Sequence, residues 1–299
     1  MSSSSSSKVW FLTGASRGLG RDLAKAVLAA GHRLAATARN PADLADLVAS
    51  HPGRAIALPL DVTDAAGART ALATAREKLG GIDIVVNNAG YANVGSVEDL
   101  AADDFRAQVE TNFFGVVNVT RAAIPLLRAQ GSGHIIQISS IGGRLGTPGL
   151  GAYQASKWAV GGFSEVVAQE VAPFGVKVTI VEPGGMRTDW AGSSMRVDPV
   201  SPPYEPTVGT FQKHIRENAR GAQSDPVKAA RAILEIASMA HPPLHVVLGS
   251  DAVFLAGLVA ATRAGEDAKW QTLSLSTDVD GLPAFKDTSV ARMLLEQRR

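Results

Sequence analysis

Short apolar runs that lack a period of two, each followed by a helix-length stretch, constrain this chain more than any other feature. Residues 8–13, 33–38, 54–60, 82–87, 134–139, 176–181 and 244–248 are such runs. Between them, 21–30, 41–49, 65–79, 103–129, 151–171 and 225–239 read as helices, with Gly31 where a C-cap would stand and Pro41 in a first turn. A strand covered on one face alternates apolar and polar residues, whereas one covered on both faces does not. The pattern therefore predicts an α/β fold: a mostly parallel, doubly wound sheet flanked on both faces by crossover helices. One such domain is expected over 8–249, after a disordered serine-rich lead at 1–7 and before a helical C-terminal extension at 250–299. In this architecture ligands bind beyond the carboxyl ends of the strands.

Composition narrows the function classes. A formal net charge of +1 leaves no basic face to neutralise phosphates, so no nucleic-acid partner is expected. The absence of cysteine excludes a disulfide framework, a thiolate metal site and a cysteine nucleophile. No apolar segment of signal-peptide length follows Met1, and the apolar stretch 252–261 is too short to span a bilayer. A cytoplasmic protein without a membrane partner is the expectation. His241 and His245 have a metal-like interval, but Pro242 and Pro243 between them forbid a helix. That stretch reads as a loop, and no metal site is predicted.

Thr13-Gly14-Ala15-Ser16-Arg17-Gly18-Leu19-Gly20 links the first strand to the first helix. Its glycines permit a tight turn and let backbone amides approach a pyrophosphate at the positive end of a helix. A dinucleotide site for NAD usually carries a carboxylate at the end of the second strand. Here that strand ends Ala36-Thr37-Ala38-Arg39. Arg39 and Arg17 would instead bracket a 2′-phosphate, which guanidinium groups suit. Two solvated surface arginines would read the same way. Tyr153 and Lys157 fall four apart on a predicted helix, hence on one face. A phenol titrates near pH ~10, and a neighbouring ammonium would lower that value towards neutrality.

Together these segments resemble the classical short-chain dehydrogenase/reductase family. The resemblance also rests on Asp61-Val62, Asn87-Asn88-Ala89-Gly90, Asn112, Ser140, Pro183-Gly184 and Thr188, over roughly residues 8–190. Val247-Leu248-Gly249-Ser250-Asp251 is similar to its hydroxysteroid-dehydrogenase-like bacterial branch. The resemblance implies a Rossmann-type fold and NADP as cofactor, with NADPH preferred over NADH. It further implies a catalytic set in which Tyr153 gives or takes a proton and Lys157 bonds the nicotinamide ribose. Ser140 would hold the substrate oxygen, and Asn112 would support a water-linked proton relay. Cofactor contacts would come from Gly14, Ser16, Arg17, Gly18, Leu19, Gly20, Arg39, Asp61, Val62, Asn88, Ala89, Gly90, Tyr153, Lys157, Pro183, Gly184 and Thr188. Asn87 is the member of its motif that often stabilises the sheet instead. A homodimer or homotetramer is implied as well.

The segment 189–223 breaks the strand-helix rhythm with prolines, serines and glycines, and reads as a substrate loop or lid. Met186, Trp190, Met195, Tyr204 and Phe211, with Arg187 and Arg196, would give a pocket an apolar wall with polar anchors. Such a wall suits a medium-sized hydrophobic small-molecule ketone, aldehyde or alcohol. The alternative from another class is a non-catalytic NADP-binding redox sensor. Such proteins typically lose the tyrosine or the lysine, and both are present here.

Overall fold

The computed structural model describes residues 7–187, 195–218 and 223–296. In chain order its first compact unit, which ends at Ala256, contains β1 (Val9–Leu12), α1 (Gly18–Ala29), β2 (Arg33–Ala38), α2 (Ala45–Ser50) and β3 (Ala55–Pro59). There follow α3 (Ala65–Leu79), β4 (Ile84–Asn87), β5 (Ala92–Val94), α4 (Ala102–Val109), α5 (Gly115–Gln130), β6 (Gly133–Ile138), α6 (Gly151–Val171) and β7 (Val176–Pro183). Then come β8 (Met195–Val197), α7 (Thr210–Asn218), α8 (Pro226–Ser238), β9 (His245–Leu248) and the start of α9 (Ser250–Leu275). The second unit, Gly257–Arg299, holds the remainder of α9 and α10 (Ser289–Glu296). The division thus falls within a helix. Among the described residues no helix is long and apolar enough to cross a membrane.

Seven strands form one sheet in the order β3-β2-β1-β4-β6-β7-β9, and every pairing is parallel. The absence of a period of two is explained by where successive side chains go. In β1, Trp10 and Leu12 enter a core with Leu23 and Val27 of α1 and Ile233 of α8. Val9 and Phe11 enter the opposite core with Leu72 of α3, Val119 and Leu127 of α5 and Val167 of α6. Each residue of β1 therefore buries apolar surface, about 1.5–3 kcal/mol for a large aliphatic side chain.

Three features depart from the sequence reading. The single helix expected over 103–129 is two helices, α4 and α5, joined by a π-turn at Glu110–Phe114. The stretch 41–49 begins as a 3-10 turn, Pro41–Leu44, whose Asn40 side chain accepts from Ala42 N–H. A second, two-stranded sheet pairs β5 with β8 in register Ala92↔Met195, Asn93↔Arg196 and Val94↔Val197. Three-residue strands leave too little periodic signal to be read ahead of their pairing.

Candidate active site

The strand order reverses between β1 and β4, which opens a crevice beyond their carboxyl ends. A cavity of about 860 Å³ lies there. Its wall includes Gly14, Ser16, Arg17, Gly18, Leu19, Gly20 and Arg39 from the first two strand ends, and Asp61 and Val62 beyond the third. Asn88, Ala89 and Gly90 follow β4 on the same wall, joined by Ser140, Tyr153, Lys157, Pro183 and Gly184. Thr188 lies outside the described residues. Asn112 is fully buried and stands behind the wall.

The glycine turn is closed by the segment after β4. Asn88 Nδ2 donates to the carbonyls of Thr13 and Gly14, both at 3.0 Å. Thr13 Oγ1 accepts from Asn88 N–H at 2.9 Å and from Ala89 N–H at 3.0 Å. Gly14 has φ +65°, and a methyl group on it would come within 2.9 Å of Ala89 Cα. At Gly20 a Cβ would collide with the Gly14 carbonyl and the Asn88 amide. Arg17 is the N-cap of α1 and makes no side-chain capping bond, so the first amides of the helix remain free to meet an anion. Arg17 and Arg39 are both exposed at the rim.

Ser140 caps the 3-10 turn Ile141–Gly143, its Oγ accepting from Gly142 N–H at 3.0 Å. The same hydroxyl shares the cavity wall with Tyr153 and favours its ionised form. Lys157 lies on the tyrosine's face of α6, with Nζ 5.8 Å from the ring centroid, and donates to the Ile138 carbonyl at 2.8 Å. Burial lowers the lysine from 10.5 to about 8. Burial also pushes the Tyr153 phenol up, and the Ser140 hydroxyl draws it back only in part. The spacing argument expected a phenol below its ordinary value; burial sets the opposite direction, so the phenol stays protonated at neutral pH. Ser139, the adjacent serine, donates instead to the Lys157 carbonyl at 3.2 Å.

Asn112 sits in the π-turn, where the looser winding re-aims a side chain. Its Oδ1 accepts from Tyr91 N–H at 3.0 Å, and its Nδ2 donates to Tyr91 O at 2.9 Å and Ser156 Oγ at 3.3 Å. It thereby fixes the Gly90–Tyr91 backbone against α6. Asn87 stabilises the sheet, donating to Thr120 Oγ1 at 3.1 Å and Gln137 Oε1 at 2.8 Å.

Of the expected substrate wall, Met186, Arg196 and Phe211 face the cavity. Met195 packs in a small apolar cluster with Ala92, Val94, Leu150 and Tyr153, and Tyr204 donates its hydroxyl to Glu98 at 2.6 Å. Arg187 is not on the wall. Trp190 and the parts of the proposed lid at 189–194 and 219–222 lie outside the described residues, while 195–218 is described. Tyr91, Thr147, Gln154 and His214 also line the cavity, from the segments after β4 and after Ser140 and from the expected substrate loop, though none was singled out by number. A charge network was also missed. Arg144 Nε donates to Glu182 Oε1 at 2.8 Å and Nη2 bonds Oε2, while His245 reaches Glu182 at 3.3 Å and Glu165 at 3.2 Å. His245 opens β9, within the strand expected over 244–248, and is tied to a buried carboxylate; only the stretch before it, 241–244, lies outside the strand. The available signal was Glu182 itself, an acid inside an apolar strand that burial obliges to find a partner.

A family model described as short chain dehydrogenase matches residues 8–197, more than half of the chain. Oxidoreductase BOA17 of Botryotinia fuckeliana is 52% identical over 271 residues, 90% of this chain and 99% of that protein. The crystal structure of a short-chain dehydrogenase from Streptomyces avermitilis superposes with a TM-score of 0.84 at 42% identity, covering 92% of this chain and 100% of that one. Another, from Burkholderia cenocepacia in complex with NADP, superposes with a TM-score of 0.70 at 28% identity, covering 88% and 97%.

Proposed function

The chain belongs to the short-chain dehydrogenase family and is a dehydrogenase/reductase acting on a CH–OH or C=O group; from that premise we propose that it is NADP-dependent and interconverts a hydrophobic ketone or aldehyde with its alcohol, Tyr153 exchanging the proton. The observation that carries the reading is a buried phenol, pushed up by burial and facing Ser140, on the wall of a cavity headed by a glycine turn.

The wall residues fit a nicotinamide dinucleotide. Gly14 and Gly20 leave the turn no side chain to fill it, α1 offers uncapped amides, and two arginines stand at the rim where the second strand ends without an acid. In this assignment Gly14–Gly20 would hold the pyrophosphate, Arg17 and Arg39 the 2′-phosphate, and Asp61 and Val62 the adenine. Asn88, Ala89 and Gly90 would add further cofactor contacts, and Pro183, Gly184 and Thr188 would hold the carboxamide end. When bound, the reduced nicotinamide supplies a hydride equivalent to the carbonyl carbon of the substrate.

The chain's own residues handle the oxygen. Ser140 Oγ holds it, and Tyr153 donates the phenolic proton to it as the carbon is reduced. Oxidation runs the same transfer in reverse, with the phenolate taking the alcohol proton. The nearby Lys157 ammonium steadies the phenolate and bonds the nicotinamide ribose. Asn112 supports a water-linked relay through Lys157 by fixing the Gly90–Tyr91 backbone. Leu145, Leu150, Met186 and Phe211 on the wall favour an apolar substrate body. The reading takes a homodimer or homotetramer in the cytoplasm as the working form.

Binding of NADPH and NADH to the purified protein, followed by nicotinamide fluorescence, tests the cofactor. Arg39→Ala is expected to weaken NADPH by ~10-fold or more, the scale of a charge-assisted phosphate contact, with NADH within ~2-fold. Equal loss of both would remove the phosphate clamp, and failure of either nucleotide to bind the parent protein would end the reading.

A further inference from the structure

Asp251 has no part in the chemistry above, although it closes the last motif of the sequence. It stands in the first turn of α9, just beyond β9, on the cavity wall beside Pro183, Gly184 and Gly185. A carboxylate in a first helical turn is usually explained by the helix dipole. This one reaches out of its helix. Its Oδ2 accepts from Gly185 N–H at 2.7 Å, across 66 residues of sequence.

The contact is close enough to dictate a neighbouring residue. Both carboxylate oxygens lie against Gly184, so a Cβ there would collide with them. The glycine after Pro183 thus has a reason internal to the protein. Backbone bonds hold the same loop elsewhere: Gly184 N–H donates to Leu248 O at 2.9 Å, Ser224 N–H to Gly185 O at 3.1 Å, and Arg187 N–H to Ser224 O at 3.0 Å. Asp251 contributes the charged acceptor, and a charge-assisted bond is roughly twice as strong as a neutral one. Its second oxygen, Oδ1, is buried without a hydrogen-bond partner among the described residues, as is Ser224 Oγ, and both abut Gly249. An unpaired buried acceptor is costly, which sets the carboxylate apart from a surface residue.

We infer that Asp251 is a positioning residue: it sets the Pro183–Gly185 backbone and so governs affinity for the nicotinamide half of the dinucleotide, leaving the adenosine half alone. The inference rests on the NADP reading, and a half-cofactor probe separates the two. Adenosine 2′,5′-bisphosphate carries the adenine and the 2′-phosphate but no nicotinamide.

Dissociation constants for NADPH and for the bisphosphate are measured on the parent protein, Asp251→Ala and Asp251→Asn. Loss of one charge-assisted bond predicts NADPH weakened ~10-fold in Asp251→Ala, with the bisphosphate unchanged within ~2-fold. Asparagine still offers Gly185 an oxygen, so Asp251→Asn should keep NADPH within ~3-fold of the parent. Should Asp251→Ala not fold, Asp251→Ser suits the helix start but falls short of Gly185, and is expected to show the same one-sided loss. Loss of both ligands together, or of neither, overturns the assignment while the cofactor reading stands. A parent protein that binds neither ligand overturns both.

Discussion

The two ends of the cavity are built from different materials. At the glycine turn the wall is mostly backbone: the Asn88 and Ala89 amides meet the Thr13 hydroxyl, and the Asn88 side-chain amide closes onto the Thr13 and Gly14 carbonyls. Its charged side chains, Arg17 and Arg39, stay at the exposed rim. At the tyrosine end the wall is side chain, and its titratable groups are buried, with Tyr153 pushed up and Lys157 lowered to about 8. One end holds its shape by having no room for another atom. The other keeps reactive groups in surroundings that oppose their charged forms. Substitutions should therefore cost the first end its geometry and the second its chemistry, sometimes with a gain in stability.

The sharpest way to break that contrast is Tyr153→Phe. It removes one oxygen from a buried site and leaves the ring packed against Ala92, Val94 and Leu150. Removing a general acid predicts a turnover loss of ~10²–10⁴-fold. NADPH affinity and the thermal midpoint should scarcely move. Steady-state rates beside a binding titration decide it; a variant within tenfold of the parent rate would take Tyr153 out of the chemistry.

Lys157→Met sharpens the same point from the stability side. The lysine falls from 10.5 in the free chain to about 8 in the fold, so its folded value is depressed. Its contribution to stability is fully present above about 10.5 and is lost as pH falls through about 8. At pH 7 the protein therefore carries the burial cost of the ammonium, up to ~3 kcal/mol on the usual linkage conversion, offset in part by the bond to Ile138 O. The methionine variant should melt higher at neutral pH while losing activity, and the gap should narrow above pH 10. A lower melting point at pH 7 would contradict it. Gly20→Ala makes the opposite trade. The added methyl meets backbone and the Asn88 amide, an overpacking that costs ~1–3 kcal/mol, and denaturant unfolding should report it together with weakened NADPH.

The same contrast explains what was legible in the sequence. Backbone-built features announce themselves: Gly14, Gly18 and Gly20 leave a spacing, and β1 through β4 leave uninterrupted apolar runs. Tyr153 and Lys157 were visible together because an interval of four puts them on one helix face, whereas Ser140 was picked out by the family resemblance. Its electrostatics were not. Whether the ammonium or desolvation dominates at Tyr153 depends on burial, which no spacing reveals. The π-turn at Glu110–Phe114 was hidden for a related reason, since its composition continues that of α4 and α5 and only the Asn112 contacts to Tyr91 show why the winding loosens. The Arg144–Glu182–His245 network joins residues that are distant in sequence. Thr188 and Trp190 fall where the described residues stop.

The smallest effect is the most diagnostic. If the phenol is held up by burial, its own ionisation lies above the ordinary value near pH ~10 and cannot set the alkaline limit of carbonyl reduction. The group that titrates first is Lys157, at about 8. The rate kcat/KM for reduction should then fall with an apparent value near 8, because the neutral amine no longer steadies the phenolate. Half a pH unit above that value the expected drop is only about fourfold. Lys157→Arg supplies a cation that does not deprotonate in this range, so whatever activity it retains should show the limb displaced upward. A parent limb above pH 10, or a limb unmoved by arginine, would return the control of proton transfer to Tyr153 and undo the distinction between a wall made of backbone and one made of buried charge.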